Sequence, residues 1–252
     1  MEGFNIEMKF IKGILYYTWK LYIGIVFGIT LLFFYPFLYF VLSFEKLKPF
    51  SFKINILWSR CMRVFCFYAV ETNRDILKTE APFVIIGNHT SYLDIFILYS
   101  ILPHQKFLFM GKSEILKYPL VKTFFKKLNI PVDRKSSIRS AKSFIQAKKC
   151  LKKGWSIVIF PEGGIPDEAP KLAPFKDGAF QLAKSSNCAI LPITFINHYK
   201  FFSEPEDFYG SAMPGLIKIK IHDLISKEEI QENEIATVKE KTFQVIDSYL
   251  EK

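Results

Sequence analysis

FVIIGNHTSYLDIFILYS, residues 83–100, joins an apolar stretch, a short polar loop and a second apolar stretch. The start of the stretch predicts a buried strand and its end a helix, with His89 in the loop and Asp94 five residues further on. A carboxylate that fixes the tautomer of a histidine and stabilises its charged form makes the imidazole a general base near neutral pH. The spacing alone leaves two alternatives: an acid–base pair, or two side chains that cap a helix.

Strand-like and helix-like stretches alternate along the rest of the chain. The strand candidates are residues 83–86, 106–110, 130–132, 156–160, 190–195 and 216–221, and the helix candidates between them are residues 93–100, 120–128, 138–152 and 178–185. Such alternation predicts an α/β fold with a mixed, largely parallel sheet covered by helices. We expect residues 199–214 to form a surface loop and residues 227–250 to form a terminal amphipathic helix.

A second polar cluster follows another strand candidate. Pro161, Glu162, Gly163 and Gly164 come directly after the apolar residues 156–160. In open α/β sheets, ligands bind beyond the carboxyl ends of the strands. We therefore expect this turn and the His89 loop to lie at the same edge of the sheet, which favours the acid–base alternative.

Four sequence blocks resemble the motifs of the glycerolipid acyltransferases in order and approximate spacing. They are His89-x4-Asp94, Val-Asp-Arg at residues 132–134, Phe-Pro-Glu-Gly at residues 160–163 and Ile-Leu-Pro-Ile at residues 190–193, and the similar region covers residues 82–221. The blocks are most similar to members that acylate lysophosphatidate. The resemblance implies transfer of a fatty acyl group from acyl-CoA or acyl-carrier protein to the 2-hydroxyl of 1-acylglycerol 3-phosphate, which gives phosphatidic acid. It implies these co-substrates, no other cofactor and no metal.

The resemblance also implies a role for each residue of the two loops. His89 would deprotonate the acceptor hydroxyl, and Asp94 would hold the imidazole. The acceptor would attack the thioester directly, because the chain contains no Gly-x-Ser-x-Gly nucleophile motif. Glu162 would lie near the acceptor glycerol, while the backbone N–H groups of Gly163 and Gly164 would face phosphate or the developing oxyanion.

The chain departs from the family at one basic position. Where the common motif continues Glu-Gly-Thr-Arg, this chain has Glu-Gly-Gly-Ile at residues 162–165, so the arginine that helps to hold phosphate is missing. We expect other cations to bind the phosphate, namely Arg134 first, then Lys112, and then Lys171 or Lys176. Each lysine has the alternative of a solvated surface charge.

The other polar candidates are given structural roles. Asn88 and Ser91 are expected to order the His89 loop or to cap the helix that follows. His104, His198 and His222 lack a catalytic or metal-binding pattern around them, so we expect them to be surface or core residues. The four cysteines show no paired spacing, which favours buried free thiols.

The formal net charge of +10 is concentrated in one region. Residues 112–153 contain thirteen Lys or Arg and two acidic residues, an excess of eleven, so the rest of the chain carries −1. A basic face can bind nucleic acid, anionic lipid or a phosphorylated substrate. No nucleic-acid-binding motif accompanies the charge, so we expect no nucleic acid partner. Acyl-CoA phosphates and an acidic carrier protein suit these charges equally, which leaves the donor open.

Residues 21–44 contain no charged residue. They predict a membrane-associated helical segment over residues 1–60, followed by the α/β acyltransferase domain over residues 61–252. Three alternatives remain: one helix that spans a bilayer, two shorter helices in one leaflet because Pro36 disturbs the first, or a buried hairpin in a soluble protein. The resemblance favours the membrane-associated hairpin, on the cytoplasmic face of the inner membrane.

Three other functions remain as alternatives to lysophosphatidate acylation. One is the same chemistry on glycerol 3-phosphate or on a lysophospholipid with a larger headgroup, which the missing arginine favours. Another is a membrane lipid-binding protein without catalysis. The third is a membrane-attached hydrolase with Ser91 as its nucleophile.

Overall fold

The computed structural model describes residues 2–73, 82–117 and 119–250. Its centre is a seven-stranded sheet with the strand order β1-β7-β6-β2-β5-β3-β4. The strands are β1 (Tyr68–Thr72), β2 (Val84–Gly87), β3 (Phe107–Lys112), β4 (Ile130–Val132), β5 (Ser156–Ile159), β6 (Ile190–Phe195) and β7 (Gly215–Ile221). Neighbouring strands are parallel, except that β6 and β7 are antiparallel. This sheet confirms the predicted mixed, largely parallel α/β class.

Helices cover both faces of the sheet. They are α1 (Glu2–Leu42), α2 (Lys48–Phe65), α3 (Leu93–Ile101), α4 (Pro119–Leu128), α5 (Ser137–Lys152), α6 (Gly178–Ser186), α7 (Lys227–Glu232) and α8 (Ile235–Asp247). In β2, Ile85 joins the core formed with α1, α2 and α3, whereas Val84 and Ile86 join the core formed with α5, α6 and α8. The central strands are continuous apolar runs because both of their faces are buried.

The predicted strands and helices between residues 83 and 221 are all present, with ends displaced by at most two residues. The sequence missed β1 at the edge of the sheet, where only Tyr68 is fully buried and the apolar signal is therefore short. The predicted terminal helix is divided into α7 and α8 by Asn233 and Glu234, whose backbones are extended. This break lets Ile230 on α7 and Val238 on α8 enter the same core.

The N-terminal hairpin turns at a different place from the one that the sequence predicted. Helix α1 continues through Pro36, and the chain turns at residues 43–47 before α2 returns along α1. Phe34 and Leu38 are buried on either side of Pro36. Packing on both sides of the proline therefore offsets the backbone hydrogen bond that it removes. The domain boundary expected between residues 60 and 61 lies inside α2.

The segment between β6 and β7, residues 196–214, is more than a surface loop. It begins with a 3-10 turn at His198–Lys200, and Phe202 forms a short antiparallel bridge with Ala212. Phe201 is buried, and Phe208 contacts the N-terminal half of α1 through Phe10 and Tyr17. The segment therefore connects the sheet to the apolar helix.

Candidate active site

The predicted site residues lie on loops at one edge of the sheet. Strands β2 and β5 are parallel neighbours, and so are β2 and β6, so the loops that follow them leave the sheet on the same side. His89 lies on the loop after β2, and Glu162 on the loop after β5. The peptide N–H of His89 donates to Glu162 Oε1 at 2.7 Å, which joins the two loops directly.

His89 and Asp94 form a hydrogen-bonded pair. The distance from His89 Nδ1 to Asp94 Oδ2 is 2.9 Å, and Asp94 is fully buried at the start of α3. The His89 side chain keeps 12% of its surface exposed, and its ring stacks on Phe160 with a centroid separation of 4.2 Å. With Nδ1–H on the carboxylate, Nε2 has no hydrogen-bond partner in the described ranges and is the basic nitrogen.

The Asp94 carboxylate is ionised at neutral pH. Its Oδ2 accepts the peptide N–H groups of Thr90 and Ser91 at 2.8 and 3.0 Å. Burial alone would raise the pKa of Asp94, but the hydrogen bonds that it accepts from His198 and His89 lower it below its ordinary value. The position of the carboxylate at the N-terminus of α3 also favours its negative charge.

Asn88 and Ser91 have the structural roles that the sequence predicted. Asn88 donates to the carbonyl of Phe195 at 3.0 Å and accepts its N–H at 2.8 Å, which ties the His89 loop to the end of β6. Ser91 is fully buried, and its hydroxyl donates to the carbonyl of Phe202 and accepts the N–H of Leu93. These contacts leave the Ser91 hydroxyl unsuited to act as a hydrolase nucleophile.

His198 is a site residue that the sequence missed. Its Nδ1 lies 2.5 Å from Asp94 Oδ1, and the side chain is fully buried. The two residues are 104 positions apart in the chain. Local spacing therefore gave no signal of this contact, and only the return of the chain beside β2 as β6 brings them together.

Glu162 lies in the site and binds the backbones of two loops. Its Oε1 accepts the N–H of His89 and its Oε2 accepts the N–H of Ala173 at 2.9 Å, so both carboxylate oxygens are used to hold loops. Burial raises the pKa of Glu162 to about 7, and the two backbone hydrogen bonds oppose that rise. Glu162 therefore holds the His89 loop through the backbone of His89 and joins it to the loop that contains Ala173.

The turn after Glu162 requires its first glycine. Gly163 has φ of +92°, and its N–H donates to the carbonyl of Phe160 at 3.1 Å. The expectation that this N–H faces phosphate or an oxyanion is wrong, because the turn itself uses it. The N–H of Gly164 has no acceptor within the part of the chain that the structure describes.

Three cations converge on this turn. Arg134 donates to the carbonyl of Gly163 at 2.5 Å, and a Cβ at Gly163 would lie 2.6 Å from both Arg134 Nη1 and Lys176 Nζ. A Cβ at Gly164 would lie 2.8 Å from Lys112 Nζ. We call Lys112, Arg134 and Lys176 the three-cation cluster, and none of them forms an ion pair with a described carboxylate. Lys171 instead pairs with Glu168 at the surface.

The site thus combines a carboxylate-bound histidine with a cluster of cations. The three-cation cluster surrounds Gly163 and Gly164, and the preceding residue, Glu162, is hydrogen-bonded to the backbone of His89. The three side chains are exposed, so water screens their mutual repulsion, and a bound anion would lower it further. Such an arrangement suits proton removal from a substrate that carries phosphate.

Comparison with known proteins identifies similar chains. A family model described as Acyltransferase matches residues 69–196, just over half of the chain. A 1-acyl-sn-glycerol-3-phosphate acyltransferase of Chlamydomonas reinhardtii is 25% identical over 86% of this chain and 64% of its own length. A chloroplast enzyme of the same name from Arabidopsis thaliana is 29% identical over 77% of this chain and 55% of its own length.

A bacterial relative and a solved structure agree with these matches. The 1-acyl-sn-glycerol-3-phosphate acyltransferase of Borreliella burgdorferi is 27% identical over 71% of this chain and 72% of its own length. The crystal structure of the 1-acyl-sn-glycerophosphate acyltransferase PlsC from Thermotoga maritima superposes with a TM-score of 0.78 at 19% identity, over 94% of this chain and 95% of that one. This last likeness shows that the fold is shared.

Proposed function

The chain belongs to the acyltransferase family, and we propose that it acylates the 2-hydroxyl of 1-acylglycerol 3-phosphate to give phosphatidic acid, with acyl-CoA or acyl-carrier protein as donor. The relatives that carry this activity in their names support the reaction class. The observation that carries the proposal is that Glu162 joins the His89–Asp94 pair to the turn around which the three-cation cluster lies.

The proposed reaction begins with His89 Nε2. It takes the proton of the acceptor hydroxyl as that oxygen attacks the thioester carbonyl. Asp94 holds Nδ1–H and stabilises the imidazolium that forms. When the tetrahedral intermediate collapses, the C–S bond breaks, and the imidazolium returns its proton to the departing thiolate. The new ester remains on the acceptor, and the donor leaves as a free thiol.

The three-cation cluster favours a phosphate monoester as acceptor. A monoester carries about −1.5 to −2 at neutral pH, whereas the phosphodiester of a lysophospholipid with a larger headgroup carries one negative charge. Arg134, Lys112 and Lys176 would replace the arginine that Ile165 displaces in this chain. Lysophosphatidate and glycerol 3-phosphate both meet this requirement, so the acyl chain of the acceptor must distinguish them.

We also propose that α1 lies in one leaflet of the membrane. It is the one helix within the described ranges that is long and apolar enough to cross a bilayer. Its apolar span, Glu7–Leu42, contains 36 residues. At 1.5 Å per residue it is roughly 54 Å long, against a hydrocarbon core of about 30 Å. The helix contacts the rest of the protein through Lys20 near its middle, which binds the carbonyls of Glu204 and Asp207, and through Tyr39 near its C-terminal end, which contacts Lys127. An orientation along the membrane surface keeps these contacts out of the hydrocarbon.

The same proposal places the catalytic domain on the cytoplasmic face of the inner membrane, where both donors occur. The membrane lipids would hold the acceptor and receive the product. The exposed apolar residues of α1, among them Ile29, Leu32 and Phe33, would contact the acyl chains.

The test is acyl transfer by the purified protein in phosphatidylcholine–phosphatidylglycerol vesicles. Palmitoyl-CoA or palmitoyl-carrier protein is offered with lysophosphatidate, glycerol 3-phosphate or lysophosphatidylcholine in parallel. His89→Ala should abolish turnover, and His104→Ala, which changes an exposed histidine, should not. Phosphatidic acid made only by proteins that retain His89 supports the proposal. Turnover with another acceptor alone would contradict the assignment of lysophosphatidate as the substrate. Turnover that survives His89→Ala would contradict the assignment of His89 as the general base.

A further inference from the structure

The Asp94 carboxylate lies between two imidazoles. Its Oδ2 accepts three N–H groups, from His89 Nδ1 and from the backbones of Thr90 and Ser91. Its Oδ1 accepts Nδ1–H of His198 at 2.5 Å and no other donor within the described ranges. A fully buried carboxylate oxygen needs a donor, and His198 supplies it.

His198 is a neutral donor in this arrangement. Its Nδ1 faces an ionised carboxylate and therefore carries a proton. Its Nε2 is buried and has no hydrogen-bond partner in the part of the chain that the structure describes. A second proton on Nε2 would leave a buried N–H without an acceptor, which is unfavourable. The ring is therefore the neutral Nδ1–H tautomer.

We propose that His198 is a positioning residue for the acyl transfer, which holds Oδ1 of Asp94 and draws part of the carboxylate charge away from His89. This inference rests on the proposed function. Two consequences follow from the shared carboxylate. The plane of Asp94 is fixed from both sides, so that Oδ2 remains directed at His89. The attraction of Asp94 for the proton on His89 Nδ1 is also moderated, because the carboxylate shares its charge with a second donor.

The position of His198 is determined by contacts other than its bond to Asp94. Next to it, Asn197 accepts the N–H of Lys218 on β7 at 2.9 Å. Phe201, three residues on, accepts the hydroxyl of Tyr68 from β1. Phe202 accepts the hydroxyl of Ser91 from the His89 loop. The donor is thus held in place before substrate binds, as a preorganised site requires.

The titratable groups around Asp94 are His89 on its own loop, His198 after β6 and Glu162 after β5. Glu162 forms no hydrogen bond with Asp94. Burial nevertheless raises the pKa of Glu162 to about 7, which lies in the pH range where the activity would be measured. A shift in the pH profile must therefore be assigned to the correct residue. Each His198 variant is compared with its parent in both the wild-type and the Glu162→Gln background.

The first test is the pH profile of kcat/KM for lysophosphatidate acylation. His198→Leu leaves Oδ1 without a donor, so Asp94 holds the proton on His89 more strongly. The acid limb, the low-pH side of the kcat/KM profile where activity falls, should move up by about 0.5–1 pH unit. The value of kcat should fall about tenfold while KM for lysophosphatidate stays constant. His198→Asn places an amide N–H where Nδ1–H was, and it should restore the wild-type limb.

His222→Leu is the matched control. His222 is also a buried histidine with one side-chain hydrogen bond, between its Nε2 and the hydroxyl of Thr194, and it does not touch Asp94. This variant should lose thermal stability without a shift of the acid limb. If His198→Leu behaves in the same way, with lower stability and an unchanged limb, the positioning role is refuted.

The second test does not depend on turnover. NMR of the wild-type protein with ¹⁵N-labelled imidazoles in detergent micelles reports the tautomer of each histidine. His198 should be the neutral Nδ1–H tautomer at pH 7, and that state should change in Asp94→Asn. An Nε2–H tautomer or a cationic His198 would overturn the inference, even if His198→Leu fails to fold. Because no substrate is involved, this result remains readable if the proposed acceptor is wrong.

Discussion

At the scale of single residues, Asp94 is the carboxylate that joins several parts of the site by hydrogen bonds. It binds His89 and His198 through their side chains, and Thr90 and Ser91 through their backbones. Its burial makes each of these contacts strong, because no water competes for the carboxylate. Substitutions around Asp94 should therefore affect catalysis more than substrate binding.

Asp94→Asn tests this expectation. The amide nitrogen cannot accept N–H groups, and one of the two imidazoles must lose its acceptor. We expect kcat to fall by about 10²–10⁴-fold, the range of general acid–base catalysis, with a small change in KM for lysophosphatidate. Steady-state kinetics in vesicles measures both. Asp177→Asn, the same change at a surface carboxylate paired with Lys239, is the control and should keep full activity.

Arg134 should contribute to binding and not to the chemical step. Its guanidinium lies at the turn that the phosphate would occupy, 2.5 Å from the carbonyl of Gly163. A hydrogen bond between charged groups contributes about 1.5–3 kcal/mol, so Arg134→Met should raise KM for lysophosphatidate about 10–100-fold with a near-constant kcat. Lys171→Met removes a cation outside the cluster. An equal rise in KM for this control would contradict the assignment of the phosphate to the turn.

Glu162 should make stability depend on pH. Burial raises its pKa to about 7 in the folded protein, above the ordinary value of 4.5. The folded state therefore binds the proton more tightly than the unfolded state. The stability from this proton is fully present below pH 4.5 and is lost as pH rises through 7, by about 3–4 kcal/mol in total.

Unfolding of the wild type and of Glu162→Gln between pH 4.5 and 8 measures this effect. The variant cannot titrate at this position, so the wild type should lose stability relative to it as the pH rises. A stability difference that stays constant across this range would show that the two N–H groups keep Glu162 ionised throughout. Glu168→Gln, at an exposed carboxylate, serves as the control.

At the scale of elements, the segment between β6 and β7 links α1 to the His89 loop. Lys20 on α1 is buried, and its ammonium group donates to the carbonyls of Glu204 and Asp207 at 2.7 and 2.6 Å. The same segment carries His198 and accepts the Ser91 hydroxyl. A single loop thus contacts both the proposed membrane helix and the support of the base.

Lys20→Met should loosen this link. Methionine keeps most of the apolar stem but leaves two carbonyls without their donor, so we expect a loss of about 1–3 kcal/mol in the free energy of unfolding. The segment should also become more sensitive to limited proteolysis. Lys12→Met changes an exposed lysine of the same helix and should have little effect. Unchanged stability and proteolysis in Lys20→Met would contradict the link.

At the scale of the whole molecule, α1 exposes many large apolar side chains and packs against α4, which lies in the basic region of residues 112–153. Leu32 and Phe33 are 65% and 63% exposed, values that large apolar side chains seldom combine in a soluble protein. Residues 112–153 carry the excess positive charge of the chain. Together these surfaces suit an anionic bilayer, where apolar burial and attraction to headgroups add.

Leu32→Asp tests the membrane contact. A carboxylate placed among acyl chains costs about 2.5–3.5 kcal/mol at the bilayer centre and less near the interface, so partition to anionic vesicles should weaken about 10–100-fold. Vesicle sedimentation measures the bound fraction. Gln244→Asp adds the same charge on α8 and should leave partition unchanged. Equal partition of Leu32→Asp and Gln244→Asp to vesicles would contradict the proposal that Leu32 contacts the membrane.

The sequence by itself determined the parts of the molecule that depend on neighbouring residues. Apolar runs gave the central strands, and the spacing of His89 and Asp94 gave a pair that the structure joins at 2.9 Å. Because Ile165 stands where the family has an arginine, the sequence predicted that Arg134, Lys112 and Lys176 act in its place. In the structure these three cations lie at one turn. These features are local because a strand, a turn or a five-residue spacing limits where each side chain can point.

Only the tertiary structure decided the contacts between distant segments. It placed His198 on Asp94, turned both oxygens of Glu162 towards backbone N–H groups and carried α1 straight through Pro36. Each outcome depends on packing between segments that lie far apart in the chain. Local periodicity carries no information about such pairs. The sheet order, in which β6 returns beside β2, brings His198 to Asp94 as a second side-chain partner of that carboxylate.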